Sequence, residues 1–124
     1  MAKNNNKIAL IIDDEPTIHL YLTLVLKTKN VSVVGAETLE QAKQLLVQQK
    51  PEYIFIDNYL PDGMGIENIP QIREFSPNST IIAMTSLYNT HWKNMALNNG
   101  ANHFLEKPFS IHQIYSYIER SLNA

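Results

Sequence analysis

Two rhythms of apolar residues alternate along the chain. The first is the short unbroken run: KIALII (7–12), VSVVGA (31–36), PEYIFID (51–57) and STIIAMTS (79–86). Runs of this length, rich in β-branched residues, fit strands buried on both faces. The second rhythm is helical. In PTIHLYLTLVLKTKN (16–30), Ile18, Leu22, Val25 and Leu26 recur at helical spacing, and Pro16 suits a first turn. TLEQAKQLLVQQK (38–50) is amphipathic, and Thr38 with Gln41 matches a capping box. IENIPQIREF (66–75) predicts a helix if Pro70 falls in its first turn. NTHWKNMALNNGA (89–101) predicts another, capped by Asn89 or Thr90 and ended near Gly100. NHFLEKPF (102–109) reads as a short strand running into Lys-Pro, and SIHQIYSYIERSLN (110–123) as a last helix capped by Ser110. NYLPDGMG (58–65) is dense in turn formers and reads as a loop.

Strand and helix therefore alternate five times. That order means parallel strands joined by right-handed crossovers. The expected fold class is α/β, a doubly wound (βα)5 arrangement on a five-stranded parallel sheet. No internal repeat or linker interrupts it, and a single domain over residues 1–124 is the expected organisation.

Composition narrows the function. The 124 residues are 44% hydrophobic and 18% charged, with a net charge of −2, which carries no basic nucleic-acid footprint. The absence of cysteine removes disulfides, thiolate catalysis and Cys-based zinc sites. No apolar run approaches the roughly 20 residues of a membrane helix, and the N-terminus lacks the features of a signal peptide. The expected location is the cytoplasm.

The chemistry gathers at strand ends. LIIDDEP (10–16) runs a buried strand into adjacent acids, whose mutual repulsion burial would worsen. In an open parallel sheet, ligands bind beyond the carboxyl ends of the strands. Asp13 and Asp14 follow the first strand, Asp57 ends the third, Thr85 and Ser86 end the fourth, and Lys107 follows the fifth. Carboxylates converging on one rim call for a cation, and a few oxygen ligands suit Mg²⁺. Lys107 offers a point charge for an oxyanion and Thr85 a hydroxyl. A carboxylate nucleophile beside Mg²⁺ and lysine has the parts needed to form an aspartyl phosphate.

Singly, each residue has an ordinary explanation. Paired acids are often a solvated strand end, Thr85 a strand-end hydroxyl and Lys107 a surface charge. His19, His91, His103 and His112 lack metal-ligand spacing and read as surface or helix-face residues. Trp92 and Phe104 fit a core, or for Trp92 a partner-facing aromatic. Leu20, Tyr21 and Leu24 form a second apolar stripe on the first helix, read as a broad core face or as a docking surface for a partner's helix pair. Of Tyr115 and Tyr117, one is expected inside and the other facing a partner.

In combination the motifs are specific. DDE follows the first strand, DNYLPDGMG spans the end of the third, MTS ends the fourth, and GANHFLEKPF surrounds the fifth. The chain resembles the receiver domain of two-component response regulators, from about Lys7 to Leu122. That resemblance implies a flavodoxin-like sheet of strand order 2-1-3-4-5. It implies that Asp57 accepts a phosphoryl group from a sensor histidine kinase or histidine phosphotransfer protein. The metal, Mg²⁺ or Mn²⁺ in its place, would be held by Asp13, Asp14, Asp57 and the backbone carbonyl of Tyr59. Lys107 would pair with the phosphoryl group, with a cis bond to Pro108. Thr85 and Phe104 would act as switch residues, altering a protein-binding face built from the fourth helix, fifth strand and fifth helix. The implied target is a protein, with no direct contact to nucleic acid or membrane, and the only catalysis is the domain's own phosphorylation and dephosphorylation.

Phe104 lacks the hydroxyl of the tyrosine more usual in the family, so burial alone would draw it inward. Tyr59 and Leu87 add bulk beside the acceptor, which implies slow self-dephosphorylation. Two other functions compete. A phosphorylation-independent binding module would be suggested by loss of Asp57 or Lys107, and both are present. A phosphatase with an Asp nucleophile usually carries a second acid two residues on, where this chain has Tyr59, and a cap domain, which is not expected in this sequence. A stand-alone receiver and an N-terminal part of a longer regulator both fit the sequence.

Overall fold

The computed structural model describes residues 7–87 and 89–122, with side chains described as far as Ile118. The elements are β1 (Lys7–Ile12), α1 (Pro16–Lys27), β2 (Val31–Ala36), α2 (Leu39–Gln48), β3 (Tyr53–Asp57), α3 (Ile69–Phe75), β4 (Thr80–Thr85), α4 (Thr90–Asn98), β5 (His103–Glu106) and α5 (Ile111–Leu122). Asn123, in the helix predicted from sequence, lies outside the described residues. The strands form one parallel sheet in the order β2-β1-β3-β4-β5.

Side-chain alternation along each strand sorts the core into two layers. Leu10, Ile12, Ile54, Ile56, Ile81 and Ala83 face α2, α3 and α4, where Leu46, Ile72 and Ala96 meet them. Ala9, Ile11, Tyr53, Phe55, Ile82 and Met84 pack on the opposite layer with Leu22 and Leu26 of α1 and Ile114 and Ile118 of α5. Both faces being covered explains why these strands read as unbroken apolar runs rather than alternating ones.

Most boundaries follow local chemistry. Asn89 caps α4, its Oδ1 accepting the Trp92 N–H at 2.8 Å. Gly100, at φ +118°, takes the left-handed conformation that ends α4. Ser110 caps α5 reciprocally: its Oγ accepts the Gln113 N–H, and the Gln113 side chain accepts the Ser110 N–H. Pro70 does sit in the first turn of α3, but residues Ile66–Asn68 before it form a separate 3₁₀ turn.

Two local expectations are corrected. The box at the start of α2 is only half formed. Thr38 accepts the Gln41 N–H, but the Gln41 side chain reaches back to the Glu37 N–H rather than to Thr38. Asp62 satisfies two further N–H groups, those of Leu39 and Glu40, at 2.8 and 3.0 Å. The segment after β3 is also more ordered than a plain loop, because Tyr59–Leu60 pairs antiparallel with Gly63–Met64. That hairpin carries Asp62 to the α2 terminus.

On α1 the second apolar stripe lies outside the core. Leu20 and Leu24 are 61% and 58% exposed, and Tyr21 leans on Phe109 with ring centroids 5.8 Å apart. Tyr115 and Tyr117 are both half-buried. The Tyr115 hydroxyl bonds Thr28, and Tyr117 stacks on His103 at 4.1 Å.

Candidate functional site

Strand register brings the candidate residues together. Ile12 of β1 is paired with Ile56 of β3, so the next residues, Asp13 and Asp57, emerge side by side. Asp57 is in turn level with Met84, which places Thr85 one step further along β4. Thr85 pairs with Glu106 of β5, and the N–H of Lys107 donates to the Thr85 carbonyl at 2.8 Å. Asp13, Asp57, Thr85 and Lys107 thus share one rim, at the carboxyl ends of the strands. Lys107–Pro108 is a cis peptide bond.

Lys107 is the electrostatic centre. Its Nζ lies 2.7 Å from Glu15 Oε1, 2.8 Å from Asp13 Oδ2 and 3.1 Å from Asp57 Oδ1. Burial alone would lower its pKa, but hydrogen bonds to Asp13 and Glu15 and the charges of Asp57 and Asp13 more than reverse this and hold it above the ordinary lysine value. The Asp57 carboxyl is pushed up to about 6, first by burial and then by the charge of Asp13, with Lys107 only partly offsetting them. One ammonium therefore does not neutralise this cluster.

Ligating oxygens of Asp13, Asp14 and Asp57 lie within 4.8 Å of one another, with Asp14 exposed and the other two buried. These are hard oxygen donors around a site of excess negative charge. The donor set fits Mg²⁺, and equally Mn²⁺.

The surrounding backbone fixes this geometry. Asp13 is anchored by its N–H to the Ala36 carbonyl, and its Oδ1 accepts the Glu15 N–H at 2.9 Å. The His19 ring packs on Gly35 and shares a 2.6 Å hydrogen bond with the Asp13 carbonyl, so this helix-face histidine is half-buried against the acid-bearing loop. Beyond Asp57, Asn58 is fully buried and accepts the Gly65 and Ile66 N–H groups through its carbonyl and its Oδ1. That closes the hairpin so tightly that a Cβ on Gly65 would meet the Asp57 carbonyl oxygen at 2.1 Å. Glycine is required there by close approach of the backbone.

The two switch candidates differ in setting. Thr85 is fully buried, and its Oγ1 accepts the Leu87 N–H at 3.1 Å. Phe104 is half-buried and packs against the α2–α4 core layer. Tyr59 is 37% exposed and meets Trp92 edge-on at 6.3 Å, while Leu87 is 59% exposed. Trp92 itself packs on that same core layer. Three contributors escaped the sequence reading: Glu15, His19 and Asn58. Glu15 stood in plain view within DDE, but its contact with Lys107 is a long-range one that no spacing reveals.

The family model for the response regulator receiver domain matches residues 9–119. The chain belongs to that family. It is 34% identical to the KDP operon transcriptional regulatory protein KdpE of Escherichia coli over 113 residues, covering 91% of this chain and 50% of that protein. It is 30% identical to the phosphate regulon transcriptional regulatory protein PhoB of Pseudomonas aeruginosa, covering 94% of this chain and 52% of that one. The chain thus spans about half the length of these two curated relatives. Among solved receivers, the beryllofluoride-activated NtrC4 receiver domain dimer is 32% identical with a TM-score of 0.86, covering 91% of this chain and 93% of its own. A two-component response regulator from Clostridium difficile is 27% identical with a TM-score of 0.90, covering 95% and 97%. Receivers of this family are phosphorylated by histidine kinases and act as signalling modules. No helix among the described residues is long and apolar enough to cross a membrane.

Proposed function

We infer that Asp57 is the phosphoacceptor of this receiver, taking a phosphoryl group from a sensor histidine kinase or a histidine phosphotransfer protein. The observation that carries the reading is the Lys107 ammonium, held 3.1 Å from Asp57 and 2.8 Å from Asp13 on the rim where the strands end. An Asp57 carboxylate oxygen attacks phosphorus while the N–P bond of the donor phosphohistidine breaks. The electron pair of that bond stays on the imidazole nitrogen. Lys107 holds positive charge where the phosphoryl oxygens gather, and Thr85 supplies a hydroxyl to the same group. Asp13, Asp14, Asp57 and the Tyr59 carbonyl would hold Mg²⁺, or Mn²⁺, which supplies charge neutralisation for the transferring group.

The product adds about −1.5 to −2 charge units at neutral pH. Thr85 turning to the phosphoryl group gives up the Leu87 N–H, which loosens the loop leading to α4. Phe104 follows by burial, and the face of α4, β5 and α5 changes toward a protein target. The exposed Leu20 and Leu24 on α1 lie on the helix that follows the acid-bearing loop, and they suit docking of the donor's helices. Residues 1–124 act as a single receiver domain in the cytoplasm, with no direct nucleic-acid contact and no turnover of a foreign substrate. Incubation with a radiolabelled, autophosphorylated histidine kinase core tests the donor class. Label passing to this chain and absent from Asp57→Asn is expected. Label passing equally to the Asn variant would contradict Asp57 as the acceptor.

A further inference from the structure

An ammonium carries three hydrogens, and three carboxylates surround that of Lys107: Glu15, Asp13 and Asp57. The ammonium donates to Asp13 and Glu15 and forms a 3.1 Å ion pair with Asp57. A phosphoryl group on Asp57 turns that carboxylate into an uncharged acyl group and brings oxygens that need Lys107 too, so Asp13 and Glu15 are the carboxylates left to compete for the ammonium. These two are unequal. The Asp13 side chain is 0% exposed, and stripping its counter-charge leaves a poorly solvated anion. The Glu15 side chain is 56% exposed, and water takes over its hydration at little cost.

Among the described residues, Lys107 is the one side-chain partner of the Glu15 carboxylate. Glu15 occupies the N-cap position of α1 without making a side-chain cap bond. The local turn is held by its backbone N–H on Asp13 Oδ1, a bond any residue but proline would make there.

We propose that Glu15 is a positioning residue for Lys107: it draws the ammonium off Asp13 and Asp57 in the unmodified protein, and is the partner Lys107 gives up once a phosphoryl group is in place. The inference rests on Asp57 being the acceptor. It has consequences of opposite sign in the two states. In the unmodified protein Lys107 and a divalent cation compete for Asp13 and Asp57. By sharing the ammonium and adding negative charge beside the acids, Glu15 favours the cation. In the modified protein Glu15 competes with the phosphoryl oxygens for Lys107 and repels them, so it disfavours that state. A residue that merely shaped the loop would move both equilibria the same way.

The test is calorimetric titration of wild type, Glu15→Gln and Glu15→Ala, first with Mg²⁺ alone and then with beryllofluoride, a phosphoryl-mimicking anion, at saturating Mg²⁺. Both variants should bind Mg²⁺ about threefold more weakly and beryllofluoride about threefold more tightly, the size expected of one exposed ion pair. Thermal melts without metal serve as the folding control. Shifts of the same sign for both ligands, or no shift in either, would overturn the proposal. A wild type that takes beryllofluoride while the variants match it overturns this inference alone. A wild type that takes none overturns the acceptor reading with it.

Discussion

Lys107, just past β5, and Asp57, the last residue of β3, meet at 3.1 Å although β4 lies between their strands. The lysine reaches over the end of β4 to a carboxyl whose pKa is about 6 rather than 3.8. A carboxyl raised in the folded state binds its proton more tightly there than in the unfolded chain. Its contribution to stability is complete below about pH 4 and is lost as pH rises through about 6. Without metal, Asp57→Asn should lack this decline. It should be more stable than wild type at pH 7.5 by on the order of 1–2 kcal/mol after allowance for solvent screening, and equal to it near pH 4. Thermal melts across that range in a chelating buffer check the difference. A gap that does not change with pH would contradict the raised pKa.

Much of this arrangement was legible in the sequence. Unbroken apolar runs alternating with helical spacing gave the sheet and its helices, and the acids stood where those runs stopped. Chain order alone does not reveal that Asp13 and Asp57 are neighbours. That follows from the Ile12–Ile56 register, which needs β1 to lie beside β3. The short hairpin was hidden because two-residue strands fall below any periodicity. Asp62 was missed because it caps a helix that precedes it in the chain. Leu20 and Leu24 show the converse failure: apolar spacing cannot tell a core face from an exposed one.

Removing the lysine should expose how much charge it holds in check. In Lys107→Met, Asp13 is left buried without its counter-charge. Metal-free stability at pH 7.5 should fall by on the order of 2–3 kcal/mol. Mg²⁺ should recover most of that loss, and should bind more tightly than in wild type because its competitor is gone. Denaturant titrations with and without Mg²⁺ measure both. A variant as stable as wild type without metal would show that the ammonium is not the main counter-charge.

Gly65 sets the position of the acceptor through its backbone. A Cβ there collides with the Asp57 carbonyl oxygen, which lies in the main chain and cannot rotate aside. Gly65→Ala should therefore cost about 2–4 kcal/mol and slow phosphorylation even where the variant is fully folded. Denaturant melts together with phosphorylation rates at low temperature separate the two effects. A variant that matches wild type in both would mean that the hairpin shifts freely.

Tyr59 and Leu87 stand two residues after Asp57 and Thr85, and Tyr59 meets Trp92 edge-on. Their bulk should keep water from the aspartyl phosphate and give a lifetime longer than seconds. Replacing Tyr59 with Asn, or Leu87 with Gly, should shorten it. Following loss of the phosphoryl group after removal of donor reads this out directly. A wild-type lifetime of only seconds would contradict the shielding.

The most direct test of the central claim is intact-mass spectrometry after incubation with acetyl phosphate. It compares wild type with Asp57→Asn, with Mg²⁺ and with chelator. Wild type should gain one phosphoryl group in a reaction that requires Mg²⁺ and is absent from the Asn variant. A gain that survives in Asp57→Asn, or that forms equally well in chelator, would contradict the claim.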